Sequence, residues 1–471
     1  MLKKLFRGCL ALIVLLVIAV GGLAAFAILG ATSDWDWSWE DPLAQASWNG
    51  DYSGEYLLSA EPSVALASDP ITINASGFAP NQPVGIRAKT IDENGQSWES
   101  AAIFEADGSG NIDVSAQAPI SGAYDGVDPM GLFWSMRPSE TLDNNFFTGN
   151  DDGYDVTISL EANGVTLQEQ VVIRLKRSPD LVREDVLENG VAGVFYYPEQ
   201  ANSLPTILIL GGSEGGIPEN AAGLWASHGY AALAVGYFAA EGKPEILSEI
   251  PLETFDDALA WLKAHPAVDG ERIAISGTSR GSEAALLTAA AHPDLAAVIA
   301  VVPSSMVWSG FDFAGRGQNE GRVPSAWTRN GEQIPSNDNS FSMETLRSLF
   351  GQPSKLTGTF QAGLNNPVEG SVIPVEEIDA PILLISGTDD MLWPSHEFAL
   401  QIVDRLEANG FSHPVEHVVL QGTGHAVRSM YEPPVFISGT IVVGGSRDAN
   451  GKATGHNWQS RVDFLDEHLG Q

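Results

Sequence analysis

Residues 272–287 read RIAISGTSRGSEAALL, and this stretch decides the fold. It opens with an apolar, strand-like run and closes with a helix-like run. Between the two lies a G-x-S-x-G motif at residues 277–281, centred on Ser279. A strand, this motif and a helix in succession are typical of a nucleophile elbow, a sharp turn that raises a strained serine above a parallel sheet. An ordinary tight turn between strand and helix is the alternative interpretation.

The alternation of strands and helices extends on both sides of this motif. Helical patterns such as residues 254–264 and 282–291 separate a series of apolar runs. These runs cover residues 206–210, 231–237, 273–276, 297–302, 382–386 and 415–420. Such alternation predicts a mostly parallel sheet covered by helices on both faces, and we assign residues 178–471 to this domain. The polar, Gly- and Pro-containing segment of about 304–372 interrupts the pattern and is predicted to be an inserted cap.

A nucleophilic serine needs a base, and the base needs a carboxylate that orients it. In enzymes with this elbow the acid and then the histidine follow the serine along the chain. Two adjacent aspartates, Asp389 and Asp390, end one strand-like run, and their side chains point in opposite directions. We choose Asp390 and keep Asp389 as the alternative. His425 lies in a glycine-rich turn after the last apolar run, so the predicted catalytic triad is Ser279, Asp390 and His425.

A second glycine-rich loop, GGSEGG at residues 211–216, directly follows a strand-like run. In this arrangement a backbone N–H of the loop and the N–H of the residue after the nucleophile stabilise the developing oxyanion. We predict Ser213 and Arg280 as these two donors, with Glu214 as the alternative to Ser213. The loop does not match G-x-G-x-x-G and contains an acidic side chain, so we predict neither a dinucleotide nor another cofactor.

Metal binding is not expected. The run from His413 to His417, HPVEH, formally matches the H-x-x-E-H zinc pattern. That pattern requires a helix, whereas Pro414 and the apolar residues that follow indicate a strand. Cys9 is the single cysteine, so neither an intrachain disulfide nor a zinc site built on several cysteines can form.

Composition narrows the possible partners of the chain. Its 471 residues include 60 Asp and Glu against 24 Lys and Arg, which gives a formal net charge of −36. A surface this acidic repels phosphate backbones, and we predict no nucleic-acid partner. Because 44% of the residues are hydrophobic, a chain that is mostly intrinsically disordered is excluded.

The N-terminus suggests export from the cytoplasm. Lys3, Lys4 and Arg7 precede residues 8–31, which contain no charged side chain. As a helix this run would be about 36 Å long, enough to cross a membrane. The positive-inside rule then places everything after residue 33 outside the cytoplasm, on a single-pass anchor. A cleaved signal peptide, which would leave a secreted protein, is the alternative for residues 1–33.

Residues 34–60 show little periodicity and are predicted to be a linker. Short β-like runs broken by turns then fill residues 61–177, and Asn-Gly pairs at 94–95 and 163–164 predict hairpins. These runs include residues 71–75, 84–91, 100–105, 156–160 and 170–175. Their number and spacing predict a β-sandwich of the immunoglobulin-like type.

Several longer stretches carry a family resemblance. They are SGFAP at residues 76–80, YDGVDPMGLFWSM at 124–136, SRGSE at 279–283, the turn at 387–390 and the pair Gly424-His425. With these stretches the sequence resembles the acyl-CoA thioesterase / bile acid-CoA:amino acid N-acyltransferase family, over roughly residues 60–470. The resemblance implies an immunoglobulin-like domain followed by an α/β-hydrolase domain. It also implies the same triad, Ser279, Asp390 and His425.

Members of that family with a serine nucleophile look like thioesterases, and those with a cysteine look like acyltransferases. Ser279 therefore implies a serine hydrolase that cleaves acyl thioesters through an acyl-enzyme. Acyl-CoA is scarce outside the cytoplasm, so predicted export leaves the leaving group open. A carboxylesterase or peptidase with the same triad is one alternative, and a non-catalytic surface binding protein is another. The complete fold prediction is an N-terminal transmembrane helix, an immunoglobulin-like sandwich and an α/β-hydrolase domain with a cap.

Overall fold

The computed structural model describes residues 40–470 except 140–145, 200–201, 311–323, 339–346, 348–351 and 439. The N-terminal part of the described chain consists mainly of strands. Its elements are helix α1 (Pro42–Gln45), strands β1 (Leu57–Glu61), β2 (Val64–Leu66), β3 (Thr72–Ser76), β4 (Pro83–Ile91), β5 (Ser97–Glu105), β6 (Asn111–Asp113) and β7 (Ser121–Gly122), helix α2 (Gly131–Trp134), and strands β8 (Arg137–Pro138), β9 (Gly153–Ala162) and β10 (Val165–Leu175).

These strands form two sheets around one core. The small sheet has the order β1-β3-β6, and the large one the order β2-β10-β9-β4-β5-β7, with β8 paired to β5. Ile73 of the small sheet packs in one cluster with Ile86 and Ile158 of the large sheet. Asn163 and Gly164 both have positive φ, of 53° and 76°, so the predicted hairpin turn between β9 and β10 is confirmed. The immunoglobulin-like class of this sandwich stays a prediction.

The described part of the predicted linker contacts the large sheet. Leu43 in α1 is buried against Ala101 and Ile103 of β5. The carboxylate of Asp41 pairs with the Arg87 guanidinium at 2.8 Å. The Tyr52 hydroxyl also donates to the carbonyl of Pro83 at 2.6 Å. Scattered contacts of this kind attach the segment to the sandwich, and they need no regular pattern of apolar residues in the sequence.

The C-terminal part alternates strands with helices. Its strands are β11 (Leu181–Glu188), β12 (Val191–Pro198), β13 (Leu204–Leu210), β14 (Ala231–Val235), β15 (Ile250–Pro251), β16 (Val268–Thr278), β17 (Ala297–Val301), β18 (Trp327–Arg329), β19 (Glu332–Gln333), β20 (Ile382–Gly387), β21 (Val415–Leu420), β22 (Ile437–Ser438) and β23 (Ile441–Val442). Its helices are α3 (Glu219–Ser227), α4 (Glu253–Ala264), α5 (Arg280–Ala291), α6 (Thr357–Asn365), α7 (Ser395–Ala408), α8 (Arg447–Leu469) and a 3₁₀ turn (Val375–Glu377).

Eight of these strands form the main sheet, in the order β11-β12-β14-β13-β16-β17-β20-β21. The strands from β14 to β21 are parallel, and β11 and β12 add an antiparallel edge. Leu259, Leu286 and Ile402 pack on one face of the sheet, whereas Trp225 and Phe464 pack on the other. The predicted α/β-hydrolase architecture, a mostly parallel sheet between two layers of helices, is confirmed in this part.

The predicted transmembrane helix requires a correction. Among the residues that the structure describes, no helix is both long enough and apolar enough to cross a membrane. Helix α8 has 23 residues, a sufficient length, but it includes Arg447, Asp448 and Lys452 and so is too polar. Residues 8–31, on which the predicted helix falls, lie outside the described residues. The described residues therefore form the sandwich and the α/β part, and none of their helices could span a membrane.

Parallel strands bring their carboxyl ends to one edge of the sheet, and the predicted site residues follow those ends. The loop at 211–216 follows β13, and Ser279 follows β16 directly. Asp390 comes three residues after β20, and His425 five residues after β21. All four features therefore meet at a single edge.

The segment between β17 and β20, where a cap was predicted, contributes an aromatic cluster next to this edge. Trp308 and Phe360 from the segment pack with Trp393 and Phe398 from the far side of β20. The Trp393 ring in turn contacts His425 edge-on, with 5.6 Å between ring centroids. Part of the segment therefore lies beside the predicted site.

Candidate active site

Ser279 occupies a strained turn between β16 and α5. Its backbone has φ 55° and ψ −120°, a conformation that L residues rarely adopt. Its N–H donates to the carbonyl of Val301 at 2.9 Å, and its carbonyl accepts from the N–H of Ser282 at 2.9 Å. The Ser282 hydroxyl donates to the same carbonyl at 2.6 Å. Bonds on both sides of the turn thus hold the strained backbone, as an elbow requires.

The two flanking glycines of the motif are sterically required. A Cβ on Gly277 would lie 2.1 Å from the carbonyl oxygen of Gly281. A Cβ on Gly281 would lie 2.3 Å from the carbonyl oxygen of Gly211 and 2.5 Å from that of Leu210. All three distances are shorter than a van der Waals contact, and they involve backbone atoms, which cannot rotate away. Helix α5 can approach β13 and the 211–216 loop only because Gly281 lacks a side chain.

Gly281→Ala is therefore expected to damage both stability and activity. The new methyl group should push the 211–216 loop away from Ser279 and lower the free energy of unfolding by about 1–3 kcal/mol, the usual cost of overpacking. Gly270→Ala is the matched control, because a Cβ there meets only Lys263 Cγ at 3.9 Å. Chemical denaturation and thioester turnover measure the two effects. Equal losses in both variants would contradict this account of the elbow.

His425 lies between Ser279 and Asp390 in a continuous hydrogen-bonded chain. Its Nε2 is 2.9 Å from Ser279 Oγ, and its Nδ1 is 2.8 Å from Asp390 Oδ2. The other carboxylate oxygen of Asp390 accepts from the N–H groups of Leu392 and Trp393 at 3.0 and 3.1 Å. The structure thus brings the three predicted triad residues together, and all three are buried.

Asp389 does not take part in this chain. Its Oδ2 accepts from the N–H of Gly445 at 3.2 Å and so faces the loop before α8. Asp389 and Asp390 thus have different partners across the turn after β20, and of the two Asp390 is the one that contacts His425.

The loop at 211–216 lies against the elbow. A Cβ built on Gly212 would be 3.2 Å from Ser279 Cβ and 2.8 Å from Glu214 Oε2. The N–H of Gly212 donates to Glu214 Oε1 at 2.9 Å, so this donor is occupied. The N–H of Ser213 makes no hydrogen bond to any residue that the structure describes. At both predicted loop positions the backbone N–H has no partner among the described residues, and Glu214 in addition places a carboxylate near Ser279.

The Tyr237 hydroxyl holds the conformation of this loop through its backbone carbonyl groups. Its hydroxyl donates to the carbonyl of Gly211 at 2.6 Å and contacts that of Gly212 at 3.2 Å. Burial raises the pKa of Tyr237 well above its ordinary value, so the phenol remains a donor. The two carbonyl groups are thereby held in one orientation.

The Arg280 side chain has a structural role that the sequence did not reveal. It is buried, and Nη1 donates to Glu283 at 2.7 Å while Nη2 donates to the carbonyls of Trp308 and Ser309 at 3.1 and 2.9 Å. Burial raises the pKa of Glu283 to about 7, although the Arg280 charge opposes this shift. The side chain thus ties the segment after β17 to α5, and the predicted oxyanion donor is the backbone N–H of Arg280.

The histidines of the H-x-x-E-H pattern are separated by the strand. His413 contacts Asp379 at 2.7 Å, and His417 contacts the Ser386 hydroxyl at 2.8 Å. Glu416, Glu467 and His468 place possible ligand atoms within 4.8 Å of one another on the surface. Two of these three are exposed carboxylates, and this arrangement alone does not define a metal site.

Sequence reasoning missed two residues that support His425. Asn450 in α8 accepts from the N–H of Gly424 at 2.9 Å and donates to the carbonyl of Gly444 at 3.1 Å. Trp393 packs its ring against the imidazole edge-on. Neither residue belongs to a motif, and only the folded chain brings them to the site.

Comparison with known proteins agrees with this geometry. The family model "BAAT / Acyl-CoA thioester hydrolase C terminal" matches residues 250–471, and "Acyl-CoA thioester hydrolase/BAAT N-terminal region" matches residues 68–188. A third model, X-Pro dipeptidyl-peptidase (S15 family), matches residues 161–336. A solved dienelactone hydrolase-like promiscuous phosphotriesterase from metagenomic libraries aligns with a TM-score of 0.40 and 15% identity, over 61% of this chain and 99% of that one, a likeness too weak for further argument.

Curated relatives match across both parts of the chain. Acyl-coenzyme A thioesterase 6 of Mus musculus is 30% identical over 428 residues, which cover 88% of this chain and 96% of that protein. Acyl-coenzyme A amino acid N-acyltransferase 1 of Mus musculus is 30% identical over 431 residues, 88% of this chain and 98% of that protein. With this identity over nearly the whole length of its relatives, the chain belongs to the acyl-CoA thioester hydrolase/BAAT family of α/β-hydrolase enzymes.

Proposed function

We propose that this protein hydrolyses acyl thioesters with Ser279 as nucleophile, His425 as general base and Asp390 as the orienting acid. The observation that carries the proposal is the hydrogen-bonded chain, 2.9 Å from Ser279 Oγ to His425 and 2.8 Å from His425 to Asp390. These are the distances at which a nucleophile and its base exchange a proton.

The reaction proceeds through an acyl-enzyme. Ser279 Oγ attacks the thioester carbonyl carbon while His425 Nε2 takes the hydroxyl proton, which gives a tetrahedral oxyanion. The C–S bond then breaks, and His425 returns the proton to the leaving thiolate. Water, deprotonated by His425, attacks the resulting ester and releases the carboxylic acid and free Ser279. Asp390 holds Nδ1–H, so that Nε2 is the basic nitrogen, and stabilises the imidazolium.

The backbone N–H groups of Ser213 and Arg280 stabilise the oxyanion in this proposal. Ser213 lies in the loop against the elbow, and its N–H is without a partner among the described residues. Arg280 is the first residue of α5, so its N–H points out of the helix N-terminus toward developing negative charge. Gly212 is the poorer candidate because Glu214 already accepts its N–H.

The serine favours hydrolysis over acyl transfer to an amine. An oxygen ester at Ser279 reacts readily with water once His425 activates it, whereas a thioester intermediate on cysteine is aminolysed more easily. Both thioesterases and amino acid N-acyltransferases are found among the relatives, and this difference in the reactivity of the acyl-enzyme favours hydrolysis here. The acyl chain and the leaving group of the natural substrate stay open.

A peptidase acting through the same triad is the second candidate, favoured by the S15 family match. That match ends at residue 336, before Asp390 and His425. The thioester hydrolase match spans 250–471 and so includes Ser279, Asp390 and His425. The match to the thioester hydrolase family therefore includes all three triad residues, whereas the match to the peptidase family includes only Ser279.

Glu214→Gln is expected to raise kcat for thioester hydrolysis by about threefold. The wild-type carboxylate lies near Ser279, in the loop that supplies the proposed oxyanion donor, so its charge opposes that of the oxyanion. A repulsion of ~0.6 kcal/mol through largely aqueous surroundings corresponds to about threefold in rate. Glutamine keeps an oxygen that can accept from Gly212 N–H, so the loop should hold its shape. Steady-state kinetics at low and high salt measure the effect, which should shrink as salt screens the charge. A fall in kcat would mean that the carboxylate itself assists the reaction.

The substrate class is tested by comparing three acyl donors side by side on the purified full chain. An acyl-CoA thioester, an acyl ester of p-nitrophenol and an X-Pro p-nitroanilide differ in leaving group and in acyl part. The proposal predicts the highest kcat/KM for the thioester and none for the anilide. Anilide cleavage without thioester cleavage would support the hypothesis that the protein is a peptidase. No turnover of any donor would support the hypothesis that it is a non-catalytic binding protein. Location outside the cytoplasm is a separate prediction that this experiment leaves untouched.

A further inference from the structure

A cavity of about 310 Å³ lies between the sandwich and the α/β part, apart from Ser279 and His425. Phe147 and Lys176 line it from the sandwich side. Trp225 of α3, Arg428 and Arg461 of α8 line it from the other side. The cavity thus combines aromatic walls with three cationic side chains, in a protein whose formal net charge is −36.

Arg461 is buried without a counter-charge. It is 8% exposed, and it makes no ion pair with any residue that the structure describes. Nη1 donates to the Ser429 hydroxyl at 2.8 Å and Nη2 to that of Ser276 at 3.5 Å, while Nε has no partner among the described residues. Burial lowers its pKa to about 10, so the guanidinium stays charged at neutral pH.

The neighbouring cations have the same shortage of carboxylates. Lys176 is 6% exposed, and its Nζ donates to the carbonyl of Gly149 at 2.6 Å. Arg428 pairs with Glu432 at 2.5 Å through Nη1, and its buried Nε and Nη2 have no partner in the part of the chain described. Three cations therefore share one carboxylate at this cavity.

An uncompensated buried cation destabilises a folded protein, because its hydration is lost and not replaced. The Trp225 ring, 5.3 Å from the Arg461 guanidinium carbon, replaces a part of that hydration by a cation–π contact. An anion bound in the cavity would replace the rest, because it would bring a negative charge next to Arg461 and Arg428, whose buried N–H groups are not all paired among the described residues. A ligand that brings a counter-charge is the simplest reason for cations with unpaired, buried N–H groups to line an open cavity.

We propose that this cavity is a second ligand site, which binds an amphipathic anion. Its carboxylate or phosphate group pairs with Arg461 and Arg428, and its apolar body lies against Trp225 and Phe147. The site takes part in neither acyl transfer nor hydrolysis, and it does not depend on the proposed reaction.

Calorimetric titration of the full chain with sodium octanoate and with inorganic phosphate tests the proposal. Octanoate carries a carboxylate on an apolar chain, whereas phosphate offers the charge alone. Saturable binding of octanoate, tighter than that of phosphate, supports an amphipathic ligand. Binding of phosphate alone would leave the anion site but overturn the apolar part, and binding of neither would overturn the whole proposal.

Arg461→Met separates ligand binding from a structural role. We expect octanoate binding to weaken at least tenfold, because the charge-assisted hydrogen bonds are lost. The unfolding temperature in anion-free buffer should stay level or rise, since the buried charge is removed. Arg405→Met is the matched control, because it removes an arginine that pairs with Glu376 at 2.5 Å, away from the cavity. Its octanoate affinity should equal that of the wild type.

Unchanged octanoate affinity in Arg461→Met would overturn the site, because the ligand would then bind elsewhere, the active site included. If the unfolding temperature also fell, the role of Arg461 would be structural, through its hydrogen bonds to Ser276 and Ser429. If Arg461→Met does not fold, Arg428→Met gives the same comparison, with at least tenfold weaker binding expected.

Discussion

Ser279→Ala should lower kcat/KM for an acyl thioester by a factor on the order of 10⁴–10⁶, the scale of loss when a serine hydrolase loses its nucleophile. The alanine variant has no atom that can form the acyl-enzyme, so only the remaining oxyanion donors and substrate binding contribute. The fold should be preserved, because among the described residues the lost hydroxyl bonds to His425 alone, and its removal creates no core cavity. Stopped-flow and steady-state assays with a chromogenic thiol reagent measure the loss, and thermal unfolding verifies the fold.

Ser213→Ala is the matched control for this experiment. It removes a serine hydroxyl beside the same site but keeps the backbone N–H that we assign to the oxyanion. Activity should remain within about threefold of wild type, since a backbone donor survives any side-chain change. Substantial thioester turnover by Ser279→Ala, at wild-type stability, would show that another group is the nucleophile.

Asp390→Asn should lower kcat by a factor on the order of 10³–10⁴. The amide can still accept from the N–H groups of Leu392 and Trp393, so the turn should survive. It cannot hold His425 in the required tautomer or balance the imidazolium charge. The measurement is steady-state kinetics over pH 5–9.

Asp389→Asn provides the matched control, with the same chemical change one residue away. Its carboxylate contacts the N–H of Gly445 and not His425, so the loss should be less than about tenfold. If Asp389→Asn were the more damaging of the two, the assignment of the acid would be wrong by one residue.

The catalytic residues at the edge of the main sheet could be predicted because each of them lies in a short motif or directly after an apolar run. The elbow needs a strand, a G-x-S-x-G turn and a helix in immediate succession, and the structure has β16, Ser279 and α5 in that order. Asp390 and His425 follow apolar runs that became β20 and β21. Parallel strand packing then brings the three side chains together without further information.

Features that depend on distant parts of the chain were not predictable in this way. Strand β11 was missed because its residues carry mixed charges. Strand β12 is mostly apolar and was also missed; β12 pairs with both β11 and β14, so contacts with distant segments decide this edge of the sheet. Asn450, Trp393 and the Arg280 side chain act through contacts with segments far along the chain. The cationic cavity likewise exists only because the two parts of the chain meet there.

The transmembrane helix, in contrast, was predicted from the sequence but is not found among the described residues. An apolar run of sufficient length predicts a membrane helix from composition alone, and the described residues contain no such helix. For the sandwich, hairpin signals such as Asn163-Gly164 fixed the strand pairing correctly, because a positive φ at both turn positions is a local requirement.

Covalent labelling tests the central claim, that Ser279 is the nucleophile, most directly. The purified full chain is treated with a fluorophosphonate, digested, and its peptides are mapped by mass spectrometry. We predict one adduct per chain, located on Ser279, and its loss in His425→Ala, which cannot activate the hydroxyl. An adduct on a different residue, or no adduct on protein that still hydrolyses thioesters, would contradict the account.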